Sequence, residues 1–387
     1  MAHLVVLHVI AGLGRGGAEA VMARLVAASA AQCRHVVVSL SDDGVHGARL
    51  RMQGVSVHTL GWRRGRATAG GLFRLYRVVR DVRPDVVQTW MYHADLVGGL
   101  AARLAGVRAV SWGIRNSDLH PQRSSRSARM ALRLCALLSA WVPRVIVSCS
   151  ERAARLHAAL GYRADRMQTI SNGLDLHTWS VRPQARAEQR ARWGIGMAAP
   201  LLGMVARWDP QKDHANLFEA LSQVARALPE LVCVLVGPGM DAENANLIRA
   251  IRARGLQGRI VLDGPRDDVV DVVAALDVHV LSSAYGEAFP NVVAEAMACG
   301  TPCVVTDVGD SGRIVGACGW VVPPCDAQAL GEALQEALTV VCGDGGAALR
   351  AACRQHVEEH FGLDRMVQAY LQLWARLRTE GDARCAA

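Results

Sequence analysis

LVVLHVIAGLGRGGAEAVMARLV, residues 4–26, opens the chain with an apolar run, a glycine-rich turn and an Ala- and Leu-rich stretch of helical period. A strand that is apolar at nearly every position must be covered on both faces, which is the condition of a parallel sheet flanked by helices. The unit then repeats. Apolar runs RHVVVSL (34–40), VSVHT (55–59), DVVQT (85–89), AVSW (109–112) and RVIVS (144–148) are separated by longer helical stretches. The turn SNGLD at 171–175 and a polar, Arg-rich stretch with Pro183 interrupt the series. It restarts with LLGMVA (201–206), LVCVLVG (231–237), RIVLD (259–263), DVHVLSS (277–283), PCVVT (302–306) and WVV (320–322).

Two such series predict two doubly wound α/β domains with parallel sheets, Rossmann-like in topology and facing a central crevice. The expected divisions are 1–180, 181–362 and a final helix over 363–387 that crosses back to the first domain. At 387 residues the chain has the length of two domains. Half of it is apolar and 20% charged, so disorder on any large scale is excluded. Arg129, Arg133 and Arg144 break the longest apolar candidate for a membrane span. The opening segment reads as a first strand rather than a signal sequence, which predicts a cytoplasmic protein. Eleven cysteines form no C-x-x-C pair, so neither a zinc site nor a disulfide framework is indicated.

The net charge of +8 conceals an imbalance. Residues 1–180 hold 24 Arg, no Lys and 10 acids, a net +14; residues 181–387 hold 18 Arg, one Lys and 25 acids, a net −6. The first half therefore suits an anionic surface or substrate, a solvated basic face being the alternative. No helix-turn-helix, zinc or aromatic RNA-binding signature accompanies the charge, so nucleic acid is not expected as a partner.

Ligands of doubly wound sheets bind beyond the carboxyl ends of the strands, and polar residues collect at those positions. RWDPQK follows the strand ending at Ala206 and brings Arg207 and Lys212 into one loop before a helix. A guanidinium and an ammonium there can neutralise a diphosphate. Lys212 is the only lysine in a chain with 42 arginines, which favours a specific need for a compact point charge. After DVHVLSS comes AYGEAFPNVVAEAMACG, with Pro290 suited to the first turn of a helix and Gly300 to its end. Glu287 precedes that helix and Glu295 lies inside it. The helix entry at Phe289, Pro290 and Asn291 offers free backbone N–H groups, Pro contributing none. The set suits a ligand with many hydroxyls and a phosphate.

In the first half, Gly12, Gly14 and Gly17 complete a G-x-G-x-x-G between a strand and a helix, and Asp42 or Asp43 ends the next strand. Alone this pattern leaves an NAD(P)-dependent oxidoreductase open. WMYHADLVGG places His93 at the end of another strand, and WGIRNSDL (112–119) offers Arg115 and Asn116.

GMVARWDPQK, LVGPG, LDGPRDDV and EAFPNVVAEAMACGTPCVVTDVG together resemble the donor half of the retaining, GT-B-type glycosyltransferases of family four, the group 1 enzymes, among them bacterial lipopolysaccharide and surface-polysaccharide enzymes. GRGGAE resembles the opening loop of the same family, so that the likeness runs through nearly the whole chain. It implies transfer of a hexose-type sugar from a nucleotide donor, UDP-sugar foremost, to a saccharide or lipid-linked saccharide. Arg207 and Lys212 are implied to bind the diphosphate, Glu287 the donor-sugar hydroxyls, Glu295 the ribose, and the loop at Pro265 and Arg266 the base. Gly16 and Gly17 are implied to approach the donor phosphate or the acceptor, His93 the transferring sugar, and Arg115 and Asn116 the acceptor. No cofactor or metal is implied. A sugar-nucleotide epimerase of the same architecture is the nearest alternative. The basic segments WRRGR (62–66) and QRSSRSARMALR (122–133), the latter with Met130, Ala131 and Leu132, raise the further expectation of peripheral docking on the inner face of the plasma membrane.

Overall fold

A computed structural model of the chain describes residues 3–62, 68–117 and 125–383. It divides into two compact units, Met1–Gly173 with Leu363–Ala387, and Leu174–Gly362.

The first unit runs β1 (Leu4–Ile10), α1 (Gly17–Ala28), β2 (Cys33–Ser39), α2 (Gly44–Met52), β3 (Ser56–Thr59), α3 (Ala69–Val82), β4 (Val86–Trp90), α4 (Tyr92–Leu104), β5 (Val110–Ile114), α5 (Arg126–Leu138), β6 (Val145–Ser148), α6 (Glu151–Ala159) and β7 (Met167–Thr169). Its seven strands are parallel in the order β3-β2-β1-β4-β5-β6-β7. β1, β4 and β5 are buried almost throughout, as their unbroken apolar sequence requires. Strand β7 has no counterpart in the sequence reading, because three half-buried residues at a sheet edge are too short to show a period.

The second unit runs α7 (Pro183–Arg192), β8 (Leu201–Val205), α8 (His214–Ala227), β9 (Val232–Val236), α9 (Ala245–Ala253), β10 (Ile260–Leu262), α10 (Val269–Ala275), β11 (Val278–Leu281), α11 (Asn291–Ala298), β12 (Cys303–Thr306), α12 (Ser311–Val315), β13 (Trp320–Val322), α13 (Ala327–Cys342) and α14 (Gly346–Phe361). The six strands are parallel in the order β10-β9-β8-β11-β12-β13. At the start of its sheet the buried Asp277 accepts hydrogen bonds from Arg186, Arg190, Arg350 and the Leu201 N–H. Four donors on one carboxylate satisfy a charge that burial would otherwise make costly.

The last helix, α15 (Leu363–Ala383), returns to the first unit. Met366, Val367, Tyr370, Leu373, Trp374 and Leu377 lie in one apolar core with Val6, Ile10, Met22, Leu25 and Trp90. The spacing of these α15 residues is that of a single helical face.

Each sheet reverses direction at one place. In the first unit the order turns between β1 and β4, where Ile10 and Trp90 are register neighbours. In the second it turns between β8 and β11. At such points the flanking loops part and leave room for a ligand.

Candidate functional site

At the second reversal the loops after β8 and β11 are fastened together. Asp209 caps the 3-10 turn Pro210–Lys212, accepting from the Gln211 N–H at 2.9 Å. The Gln211 carbonyl then accepts from the Ala284 N–H at 2.9 Å, and the Lys212 carbonyl from the Ser282 hydroxyl at 2.8 Å. Asp213 follows with φ 47 and caps α8 through the Asn216 N–H. These bonds set Lys212 beside Glu287: Nζ is 2.5 Å from Oε1, with side chains 12% and 9% exposed.

Glu287 Oε1 also accepts from Ser283 Oγ at 2.7 Å and Gln211 Nε2 at 3.3 Å. Gln211 passes the link on, since its Oε1 accepts from Arg207 Nη2 at 3.0 Å while Arg207 Nε donates to Asp209 at 3.0 Å. Burial raises the Asp209 carboxyl, but the Gln211 N–H, Arg207 and Lys212 together carry it below its ordinary value. Arg207, Gln211, Lys212, Ser283 and Glu287 thus form one connected polar group. Sequence reasoning missed Gln211 and Ser283, although both stand inside the quoted RWDPQK and DVHVLSS runs.

Gly309 makes the other side of this group possible. Its φ is +63, and a Cβ there would lie 2.1 Å from the Glu287 carbonyl oxygen. The loop after β12 therefore lies against Glu287 and Ala288, with the Asp310 N–H donating to the Ala288 carbonyl at 2.9 Å. Phe289 is buried edge-on to Phe361, ring centres 5.4 Å apart. Pro290 precedes α11, which Asn291 begins, and Glu295 is half-buried on that helix.

The loops after β9 and β10 close the arrangement. A Cβ on Gly237, φ +137, would meet the Ala206 carbonyl at 2.1 Å, and the Gly237 N–H donates to the Gly264 carbonyl at 2.7 Å. Pro265 follows Gly264. The Arg266 guanidinium is held by Asp268 (2.7 and 2.5 Å), by Asp263 (2.5 Å) and by Gln189 (3.3 Å). Its side chain is engaged in shaping the loop, so a ligand here would meet the loop backbone.

In the first unit, Gly16 is the residue before α1 and Gly17 its first. A Cβ at Gly16 would fall 2.1 Å from Glu19 Oε2, so only glycine lets that carboxylate fold over the helix entry. Burial raises the Glu19 carboxyl above its ordinary value, its own backbone N–H acting the other way. His93 stands on the first turn of α4, half-buried, with Nε2 enclosed and unbonded, and burial lowers its pKa. Arg115 lies over the Trp90 ring at 4.5 Å and donates to Asn172 at 2.5 Å and to the Tyr370 hydroxyl. Asn116 follows it, half-buried. Asp43, a possible ribose acid, is engaged by both Arg51 nitrogens at 2.7 and 2.9 Å.

Of the proposed docking segments, residues 63–66 and 122–124 lie outside the described residues. Within α5 the expected apolar contacts change. Ala131 is buried in the unit and Leu132 half-buried, whereas Met130, Leu134 and Leu137 are exposed, as is Trp141 in the turn after the helix. Among the described residues no helix is long and apolar enough to cross a membrane.

Two family descriptions match the chain: Glycosyltransferase Family 4 over residues 15–178 and Glycosyl transferases group 1 over residues 199–340. EpsF of Bacillus subtilis strain 168 is 26% identical over 314 residues, which cover 78% of this chain and 79% of EpsF. The UDP-Gal:alpha-D-GlcNAc-diphosphoundecaprenol alpha-1,3-galactosyltransferase of Escherichia coli is 26% identical over 63% of each chain. The 2-deoxystreptamine N-acetyl-D-glucosaminyltransferase of Streptomyces fradiae is 31% identical over 67% of this chain and 64% of its own. Among solved structures, Anabaena HepE in complex with UDP superposes with a TM-score of 0.84 at 21% identity, covering 96% of this chain and 100% of HepE. Sucrose-phosphate synthase of Thermosynechococcus elongatus superposes with a TM-score of 0.79 at 19% identity, over 98% and 100%. At these identities the structural likeness establishes the fold.

Proposed function

The chain belongs to the group 1 glycosyltransferases of family 4, and we propose that it moves a hexose-type sugar from a UDP-sugar to a lipid-linked or polysaccharide acceptor, with retention of anomeric configuration, in making a cell-surface polysaccharide or lipopolysaccharide. The observation that carries this reading is the polar group at the second reversal. The single lysine and a buried glutamate meet at the strand ends where a doubly wound sheet binds its ligand.

Lys212 and Arg207 take the diphosphate and stabilise the charge that develops on it as the glycosidic bond breaks. Glu287 then accepts from donor-sugar hydroxyls, and Glu295 from the ribose. Pro265 and Arg266 present backbone to the base. Phe289, Pro290 and Asn291 shape the helix entry beside the phosphates. From the first unit Gly16 and Gly17 offer backbone to the phosphate or acceptor, His93 donates a hydrogen bond to the transferring sugar, and Arg115 and Asn116 serve the acceptor. Retention follows a front-face course in which the departing phosphate oxygen helps to take the acceptor proton. Arg207, Lys212 and the helix entry supply the positive charge that a cation would otherwise bring, so that no metal is required.

The names of similar proteins support donor and acceptor class. The Escherichia coli relative is named for UDP-Gal and a diphosphoundecaprenol-linked sugar, and the HepE structures hold UDP or UDP-glucose. Placement of the first unit on the inner leaflet is supported by the +14 charge of residues 1–180 and by the exposed apolar stripe of α5.

Incubation with UDP-sugars and an undecaprenyl-diphosphate-linked sugar tests the proposal. Transfer releases UDP and forms a new glycoside with the donor's anomeric configuration. An epimerase would return a nucleotide sugar, and an oxidoreductase would leave the donor untouched; either result overturns the reading. Turnover should persist in EDTA, and a complete loss that magnesium reverses would remove the charge argument.

A further inference from the structure

The turn that presents His93 holds a backbone conformation foreign to its residue type. Met91, between β4 and α4, has φ 74 and ψ 156, a region that glycine occupies readily and a residue with a side chain rarely does. Its N–H donates to the Gly113 carbonyl at 2.9 Å, and its carbonyl accepts from the Asp95 N–H at 2.8 Å. Such a turn persists only where its surroundings over-determine it.

The Asp95 side chain supplies that restraint. It is fully buried on the first turn of α4, and Oδ1 accepts from Thr89 Oγ at 2.5 Å and from the Gly113 N–H at 3.1 Å. One carboxylate oxygen thereby joins α4 to β4 and to β5. Gly113 permits the approach, since a Cβ there would stand 2.5 Å from the Thr89 carbonyl oxygen. Tyr92 is anchored as well: its carbonyl accepts from Cys135 Sγ at 3.5 Å, and its hydroxyl meets His157 Nε2 at 2.8 Å. Ala94 is buried too, so His93 is the one residue of 92–95 that is not.

We propose that Asp95 is a positioning residue, whose carboxylate grips Thr89 and Gly113 together, holds the Met91 turn and so aims His93 and the segment from Gly113 to Asn116. This rests on reading His93 as a group that acts on the transferring sugar, and it gives Asp95 no contact with substrate. The ionised form grips best, because charge-assisted hydrogen bonds are the stronger ones.

Burial pushes the Asp95 carboxyl up to about 7, against the pull of Thr89, the Gly113 N–H and Arg115. The groups around it are Tyr92 on its own helix, Arg115 after β5, Cys135 on α5, His157 on α6 and Tyr162 beyond α6. Burial raises Cys135 and Tyr162 far above neutrality and lowers His157 to about 4, so none of these three changes charge near pH 7. His93 is itself lowered below 6.5, which separates its titration from that of Asp95.

The test uses the full chain with UDP-galactose and GlcNAc-diphosphoundecaprenol, reading UDP release against pH. Wild-type kcat should fall on the acid side with an apparent ionisation near 7. Asp95→Asn keeps an acceptor for both donors; it should lose that ionisation and at least tenfold in kcat at pH 8, with KM for UDP-galactose within twofold. Met91→Gly, which adopts the turn unaided, should restore part of kcat in the Asp95→Asn background, and that double variant is read should Asp95→Asn fail to fold. Independently of turnover, the NMR titration of the His93 imidazole should shift in Asp95→Asn. Wild-type kcat, acid limb and His93 titration in a folded Asp95→Asn enzyme would overturn the proposal. Failure of the His93 reading looks different: His93→Ala would turn over normally while Asp95→Asn still shifted the His93 titration.

Discussion

Lys212 meets Glu287 in a setting where neither charge can be removed without consequence. The two side chains are nearly enclosed, and Glu287 Oε1 carries three donors. On the proposed reading the ammonium meets the diphosphate of the bound donor, so Lys212→Ala should lower kcat/KM by about 30- to 1000-fold, equivalent to ~2–4 kcal/mol of transition-state stabilisation. Wild-type turnover in a folded variant would remove the assignment. Glu287 and Glu295 should separate by what they bind. In calorimetry Glu295→Ala should weaken UDP itself, whereas Glu287→Ala should leave UDP affinity near wild type and impair transfer. Equal UDP affinity in wild type and Glu295→Ala would end the ribose role.

Helix α5 shows how an element can serve two surroundings at once. Ser125 caps it through the Ala128 N–H at 3.1 Å, Ala131 and Cys135 face the unit's core, and Met130, Leu134 and Leu137 follow one another at intervals of four and three, with Trp141 in the turn beyond the helix. That spacing is one stripe of an α-helix. Leu137 is 69% and Trp141 71% exposed, and Leu104 on the adjoining α4 is 76% exposed. Arg126, Arg129 and Arg133 lie in the same helix. An apolar stripe among arginines matches the interface of an anionic bilayer, each arginine contributing ~1 kcal/mol near the surface. Sedimentation with anionic liposomes should show binding that weakens with salt. Leu137→Ser with Trp141→Ser should reduce it, as should replacing Arg126 and Arg129. Equal partitioning onto neutral and anionic vesicles, or none onto either, would sink the docking proposal.

The molecule as a whole carries buried histidines that must stay neutral. In the first unit Trp90 Nε1 donates to His8 Nδ1 at 3.2 Å, which directs the remaining hydrogens: His8 Nε2 to His35 Nδ1 at 3.0 Å, and His35 Nε2 to Ser29 Oγ at 2.9 Å. Ser29 passes its own hydrogen to the Leu25 carbonyl at 2.6 Å. A proton added to either ring would have no acceptor, because the indole N–H can only donate. Burial lowers His8 well below 6.5, His35, His157 and His214 to about 4, and His279 to about 3. For each, the unfolded chain binds the proton more readily than the folded one, so stability is full above pH 6.5 and is lost as pH falls toward the folded value. At pH 5 the loss is about 2 kcal/mol for each of His35, His157, His214 and His279. Asp95, raised to about 7, acts in the opposite sense, its ionisation costing stability as pH rises from about 4 to 7. Five groups outweigh one, and urea midpoints followed by tryptophan fluorescence should fall steeply between pH 7 and pH 5. A midpoint independent of pH over that interval would contradict the buried, neutral state of these rings.

The sequence by itself determined the alternation of strands and helices, because fully apolar runs can be satisfied only between layers, and that pattern reads from composition and period alone. It also singled out Lys212, since the one lysine of the chain stands at a strand end, and it drew attention to Glu287 and Glu295 by their places before and inside the helix that follows DVHVLSS and by the likeness to family four. Only the tertiary structure decided how those residues are coupled. Gln211 and Ser283 join Arg207, Lys212 and Glu287 into one hydrogen-bonded group, yet a glutamine and a serine are common enough to pass unremarked in a sequence. Arg266 reads there only as part of the loop that the resemblance sets against the base, while the folded chain commits its side chain to Asp263, Asp268 and Gln189. The face of α5 that meets solvent, and the grip of Asp95 on Thr89 and Gly113, are likewise tertiary facts. Period identifies a helix face, but what covers that face, and which distant donors reach a buried carboxylate, depends on partners far along the chain that no local pattern encodes.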